Sequence, residues 1–381
     1  SATQSFEQGR TLEARIFHVQ KSDPRFRIRN LGTLGLVHRY STLEEERTGT
    51  TLTFRQPETE RWRTEYAASL GFERAEVIES KQIVTPLDPP SAPVESEIGG
   101  SGKHRDIAHL VLDARTALSD RWSVVYGGRV DNYSDVATQT SPRLGVVFQP
   151  VEDTAIKLLY QHAFRAPTFA EQYYPVATTF SPPDPETLDS FELVFLKQRD
   201  DWKTEIVLFQ SDWGDAILVR LDPSLAAGYI YENSGESQSR GIEASLSWNP
   251  DPWRVDLSGS YVRSRNLEAE EDYDLFPPIM INVGVGRTFG SHGISFYLNN
   301  LYSDGAQDVG YNRTLLGDPE DLPTYWRTDL NVTKRFASGL DLFANVINLF
   351  DRDNRVPSIL GLSGGVADRP LSVSAGLRGQ F

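Results

Sequence analysis

Apolar and polar residues alternate along this chain in run after run, and helical periodicity is nearly absent. At the C-terminus Leu371, Val373, Ala375, Leu377, Gly379 and Phe381 take one face of an extended segment, while Ser372, Ser374, Gly376, Arg378 and Gln380 take the other. The pattern repeats through Trp253, Val255, Leu257, Gly259 and Tyr261, and through Ile242, Ala244, Leu246 and Trp248. It repeats again through Trp122, Val124, Tyr126, Gly128 and Val130, and through Leu340, Leu342, Ala344 and Val346. A period of two marks strands with unlike faces, and runs of roughly 9–11 residues are what a tilted strand needs to cross a bilayer. Arg115, Arg129, Arg254 and Arg378 stand mid-strand on the polar faces, beside Asp113, Asp256 and Asp341. A two-sheet sandwich also turns such charges to solvent, so strand number and connection lengths must decide.

Bulk hydropathy does not decide either. A mean hydropathy of −0.40 with 39% hydrophobic residues reads as soluble, and no stretch approaches the roughly 18 consecutive apolar residues of a membrane helix. A barrel strand, however, shows lipid only every second residue, so its average stays low while it spans fully. A formal net charge of −15 excludes a nucleic-acid partner, because phosphate backbones call for clustered Lys and Arg. With no cysteine and one methionine, disulfide scaffolds, thiolate metal sites and cysteine nucleophiles are all excluded. The start, Ser1-Ala2-Thr3-Gln4, shows no leader pattern and no initiator Met, which reads as a processed chain or a part of a longer one.

Connection lengths discriminate. Short links fall at Ser119-Asp120, Pro150 to Asp153, Arg199 to Asp201, Asn249 to Pro252, Gly290 to His292 and Ala337 to Gly339. Long ones fall at 81–103, 164–185, 220–236, 264–276, 304–323 and 351–369. Short and long alternate, as tight periplasmic turns alternate with extracellular loops in outer-membrane barrels. Trp62, Trp122, Trp202, Trp248 and Trp253 sit beside short turns, with Trp213 and Trp326 near long loops, which reads as an interfacial aromatic girdle. About 17 strands of membrane-crossing length are expected. The first hundred residues pattern poorly, and 34–54 parses in several ways. Residues 86–100, rich in Pro and Gly, read as a loop and not as a domain linker, so 1–381 is expected to be one domain.

From Trp122 to Tyr174 the order of features resembles TonB-dependent outer-membrane receptors. A strand ending Gly127-Gly128-Arg129-Val130-Asp131 leads to Ser141-Pro142-Arg143-Leu144-Gly145, then to a strand closing in Phe164-Arg165-Ala166-Pro167-Thr168 before a long aromatic loop. Asn233 with Ser239-Arg240-Gly241-Ile242-Glu243, the run Asn348-Leu349-Phe350-Asp351, and a terminal alternating strand ending in Phe381 complete the likeness. Residues 1–120 carry the architecture without a sharp motif. The resemblance implies an all-β fold: a large antiparallel transmembrane up-and-down β-barrel of about 22 strands, of which this chain holds about 17. No plug domain is recognisable, so a partial barrel over 1–381 is expected, its missing part cut away or supplied elsewhere.

The same resemblance implies gated import across the outer membrane of a Gram-negative bacterium, and no enzymatic activity. The implied partners are the TonB-ExbB-ExbD complex, through a plug not in this chain, and the barrel assembly machinery, reading Phe381. Lipopolysaccharide and the membrane, and a small-molecule ligand, complete the set. A ferric siderophore is the first expectation for that ligand; cobalamin, haem or an oligosaccharide stay open. Three rivals stand beside this reading: a passive porin-like channel, a surface-binding barrel such as an adhesin or phage receptor, and a soluble β enzyme.

The six histidines, His18, His38, His104, His109, His162 and His292, lack metal-ligand spacing, with His104 and His109 on opposite faces of one strand start. No catalytic constellation and no cofactor are expected. Acidic runs at Glu268, Glu270, Glu271, Asp272 and Asp274, at Asp318, Glu320 and Asp321, and at Asp351 and Asp353 offer hard oxygens for loop-bound calcium. They lack the spacing of a calcium loop and read rather as solvated surface. Phe164, Arg165, Phe169, Tyr173 and Tyr174, with Phe180, are the candidate ligand-binding residues of an outer vestibule; the alternative is that these side chains pack loop on loop. Asn233, Gly241 and the Asn348 element read as structural.

Overall fold

The computed structural model describes residues 1–30, 36–58, 63–87, 92–97, 99–173, 181–221, 229–273, 276–308, 320–337, 339–357 and 365–379. Among these, the strands form one twenty-stranded sheet and three two-stranded ones, and the only α-helix is the five-residue turn Phe169–Tyr173. Four members of the large sheet are short: Ala2–Ser5, which pairs with the start of Thr11–Ser22, and Arg25–Asn30, Val94–Glu97 and Glu271–Asp272 at the long-loop end; the other sixteen are the long segments of the wall. Every short link expected from the sequence is present: strands end at Ala117, Val151, Arg199, Trp248, Phe289 and Arg335 and resume at Trp122, Thr154, Trp202, Trp253, Ile294 and Leu340.

By contacts the chain gathers into two compact units. The first comprises Ser1–Val146, Leu159–Ser190 and Asp212–Glu236; the second comprises Val147–Leu158, Phe191–Ser211 and Ser237–Phe381. In the first, Thr11–Ser22 pairs with Leu36–Gln56, that with Thr64–Pro86, that with Lys103–Ala117 and that with Trp122–Tyr133, all antiparallel. Register aligns Leu52, Leu70, Leu110 and Val130 in one row across four strands. On the opposite face Arg129 pairs with Asp131, Arg143 with Asp113, and Arg47 with Glu73.

In the second unit one row crosses seven strands: Trp248, Val255, Val285, Leu298, Leu330, Val346 and Val373. Beside it on the other face runs Arg254, Gly286, Tyr297, Asn331, Asn345 and Ser374. Tyr297 lies over Gly284 and Gly286, where a Cβ would collide with its ring, and this leaves its hydroxyl free to donate to Asp256 at 2.9 Å. Asn331 donates to Asn345. One face is therefore hydrocarbon along most of its length and the other is a hydrogen-bonded polar lattice.

The usual interior is missing. Among the described residues, prolines aside, only seven apolar side chains are buried, whereas Leu110 is 56%, Leu377 66% and Val373 70% exposed. A soluble domain of this length buries most of its large aliphatic groups; here they form a continuous outward band that only an apolar medium can cover.

Two expectations needed correction near the N-terminus. Leu36–Gln56 and Thr64–Pro86 are single strands of 21 and 23 residues, paired nearly end to end with one irregularity at Glu44/Glu45. Their far halves, such as Thr42-Leu43-Glu44-Glu45-Glu46-Arg47, run well past the apolar band, where polar residues stand on both faces, the buried Thr42 and Ser80 among them, and strict alternation carries no advantage. The supposed loop 81–103 therefore begins as strand, and Val94–Glu97 folds back onto residues 81–84. Hairpins also stiffen other long connections, Ile217–Leu221 with Tyr229–Asn233 and Ala306–Asp308 with Glu320–Leu322. Trp122, Trp213, Trp248, Trp253 and Trp326 are each well exposed near strand ends; Trp62 lies outside the described residues.

Candidate functional site

At the long-loop end of the first unit, the strand Thr154–Arg165 turns sharply out of the sheet, and the residues Phe164 to Thr168 build that corner. Pro167, fully buried, cannot continue a ladder. Thr168 caps the short helix: its Oγ1 accepts the Glu171 amide at 3.2 Å, while Glu171 Oε2 accepts the Thr168 amide at 2.7 Å. This reciprocal capping box satisfies two donors the turn would strand. Arg165 locks it, donating from Nη1 and Nη2 to Glu171 at 2.8 and 3.1 Å and from Nε to Glu186 Oε2 at 2.5 Å. Glu186 Oε1 in turn accepts the Ile217 amide at 2.7 Å, tying the corner to the neighbouring loop hairpin. Burial pushes the Glu171 carboxyl upward, but the Arg165 and Thr168 hydrogen bonds outweigh it and hold the group below the ordinary carboxylate range.

A spacing of four on the helix brings Phe169 and Tyr173 together, their rings stacked at 6.2 Å. Beneath them lies Arg105, only 7% exposed. Its guanidinium meets Asp135 at 2.7 Å and Gln172 Oε1 at 3.1 Å, between the rings of Tyr133 at 5.5 Å and Phe169 at 5.3 Å. Lys103 stands 5.1 Å over Tyr173, and Phe164 meets Tyr133 edge-on at 6.0 Å. Burial, with the Asp135 charge, pushes the Tyr173 phenol above its ordinary value, so it stays a neutral donor. The result is a rigid aromatic platform over two cations, suited chemically to flat or anionic groups.

Of the residues singled out from sequence, Phe164, Arg165, Phe169 and Tyr173 come together here; Tyr174, Phe180 and Phe381 lie outside the described residues. Arg165 already spends its donors on two carboxylates. Lys103, Arg105, Tyr133, Asp135, Glu171, Gln172 and Glu186 were not anticipated. For Glu171 the signal was present, since a Glu three residues after Thr168 is the capping-box spacing; Lys103 and Arg105 arrive from a distant strand and left none.

Other expected elements are placed as follows. Asn233 donates to the carbonyls of Asp184 and Asp215 at 2.9 and 2.7 Å and accepts the Asp184 amide, clamping a strand start. Asn348, 1% exposed, donates to the Arg352 and Arg369 carbonyls and accepts the Arg352 amide. Asp272 pairs with Arg263 at 2.9 Å, and Asp351 accepts the Leu371 amide; Asp274 and Asp318 lie outside the described residues. His162 meets Asp189 at 3.1 Å, and no three His, Asp or Glu gather around a common point among the described residues.

A family model described as TonB dependent receptor-like, beta-barrel, matches residues 9–349. The pyoverdine outer membrane receptor FpvA of Pseudomonas aeruginosa superimposes with a TM-score of 0.77 at 14% identity, covering 100% of this chain and 60% of that one. The ferric yersiniabactin uptake receptor FyuA of Yersinia pestis gives 0.69 at 13%, covering 98% and 59%. The copper transporter OprC gives 0.74 at 15%, covering 96% and 62%. Across eight such structures the chain spans between 54% and 62% of the length of the protein it matches. With that match, the alternating wall and the apolar outward band are those of a large antiparallel transmembrane β-barrel, and the chain belongs to the TonB-dependent receptor-like β-barrel family.

Proposed function

We propose that this chain supplies wall and outer loops to an outer-membrane receptor of a Gram-negative bacterium that imports a scarce ligand, with a ferric siderophore as the first candidate. The observation that carries the reading is the platform of Phe169, Tyr173 and Tyr133 over Arg105 and Lys103, at the long-loop end of a wall of this family. Iron chelates are broad, commonly aromatic and often anionic, which matches stacked rings backed by cations. Transport, and not catalysis, is the activity. Energy would come from the TonB-ExbB-ExbD complex acting on a plug domain, and Phe381 would serve the barrel assembly machinery. The whole of 1–381 is read as barrel wall and its loops, without a resident cofactor.

Copper is a second reading, prompted by the copper transporter among the similar structures. This chain itself brings no cysteine and one methionine, so it offers little of the soft ligand set copper favours.

The test is titration of the purified protein in detergent with catecholate and hydroxamate ferric siderophores and with Cu(II), followed by tryptophan fluorescence. A ferric siderophore should quench saturably, and Phe169→Ala should weaken binding about 5- to 30-fold, as loss of an aromatic anchor does. Saturable binding of Cu(II) alone, or ligand-independent conductance in planar bilayers without chelate binding, would overturn the reading.

A further inference from the structure

On the apolar face of the second unit, at its short-turn end, the hydrocarbon rows are interrupted by two cations. Arg287 lies in the row Trp253, Arg287, Phe296, Val332, Ala344 and Ala375. Lys334 lies in the next row, between Ile294 and Leu342, whose own partner is the exposed Leu377. The Arg287 guanidinium is sandwiched, 4.8 Å from the Trp253 ring and 4.8 Å from the Phe289 ring. Its Nε is buried and has no hydrogen-bond partner among the described residues. Lys334 sits 5.6 Å over Phe336 and donates to the His292 carbonyl.

The polar face at the same level is arranged otherwise. There Arg254 is neutralised by Asp256 at 2.7 Å and Arg335 by Asp341 at 3.0 Å. Among the described residues neither Arg287 nor Lys334 has a carboxylate within ion-pair distance. Two cations without an anion, fixed by aromatic rings on a lipid-facing surface, are not explained by folding, because an unpaired guanidinium nitrogen removed from water costs free energy. Two strand spacings and one row separate them, roughly 12 Å, about the reach of one phospholipid head group and its neighbour.

We infer that Arg287 and Lys334 form a head-group site for a glycerophospholipid of the inner leaflet, the phosphate accepting from the terminal nitrogens of Arg287 while Trp253 and Phe289 seat the glycerol region. The depth fits, since short turns mark the periplasmic interface, where rings and snorkelling cations meet phosphates. The inference rests on the membrane-wall reading and is independent of which ligand the outer loops take.

Native mass spectrometry of the full chain released from detergent tests it, with phosphatidylglycerol, diacylglycerol and inorganic phosphate as separate probes. Phosphatidylglycerol should stay bound while diacylglycerol and inorganic phosphate do not, and the double variant Arg287→Gln, Lys334→Gln should retain about tenfold less lipid. Arg287→Lys should restore most of it. Equal retention of diacylglycerol by the parent overturns the proposal without any variant having to fold, as does full lipid retention by the double variant. Chelate binding at the loops, measured on the same samples, should not change; its failure in the parent would sink the receptor reading and leave the lipid site standing.

Discussion

Two corners of the molecule solve the same problem with different chemistry. After Thr154–Arg165 in the first unit, and after Leu340–Ile347 in the second, the chain leaves the sheet and must find partners for backbone groups the ladder no longer serves. The first corner uses charge: Arg165 is held by Glu171 and Glu186, and Glu186 also takes a backbone amide. The second uses a neutral amide: Asn348, at φ +54°, closes on the carbonyls of Arg352 and Arg369 and on the Arg352 amide. A left-handed backbone with a side chain that mimics the peptide is what Asn tolerates best. The difference teaches which side-chain lock solution conditions can open. Protons and salt act on the ionic one, which lies beside the aromatic platform; the bonds of the Asn348 side chain have no proton to gain.

The contrast can be broken most severely at Asn348. Replacement by Ala removes three buried hydrogen bonds and should cost roughly 2–4 kcal/mol, read as a lower urea midpoint in detergent, with nearly the same loss at low and neutral pH. Arg165→Gln should cost less, about 1–2 kcal/mol, because its side chain is 44% exposed and partly screened. That loss should shrink in acid. Glu171 has a lowered folded value, so its contribution is complete above the ordinary carboxylate pKa and disappears as pH falls through the lowered one. Chelate affinity of the parent should weaken over the same acid interval if the platform depends on the corner, and an affinity flat through that interval would separate the two. Smallest is Thr168→Ala, about 1 kcal/mol from loss of the cap, with Thr168→Ser close to neutral.

Much of the wall was legible in the sequence, for a physical reason. Where one face meets hydrocarbon and the other does not, selection on each residue has period two, so runs such as Trp253 to Tyr261 and Leu371 to Gly379 declare their register directly. Legibility failed where that asymmetry ends. The outer halves of Leu36–Gln56 and Thr64–Pro86 carry polar residues on both faces, and their strand character comes from pairing with each other. The site divides in the same way. Phe169, Tyr173 and the cap at Thr168 are local and could be read from spacing, whereas Arg105 reaches Phe169 and Gln172 only through the fold. The roles of Asn233 and Asn348 as turn-shapers were readable because amides at strand boundaries have few other uses.

The account stands on the apolar face contacting hydrocarbon, and the absence of native cysteine allows this to be measured residue by residue. Single cysteines placed at Leu110, Leu257 and Leu377, and at their sequence neighbours Val111, Ser258 and Arg378, can be spin-labelled in lipid vesicles. Collision rates with oxygen and with a polar nickel chelate then report lipid against water. Labels at Leu110, Leu257 and Leu377 should favour oxygen, their neighbours should not, and the two should alternate along each strand; equal nickel accessibility at both sets would contradict a membrane wall.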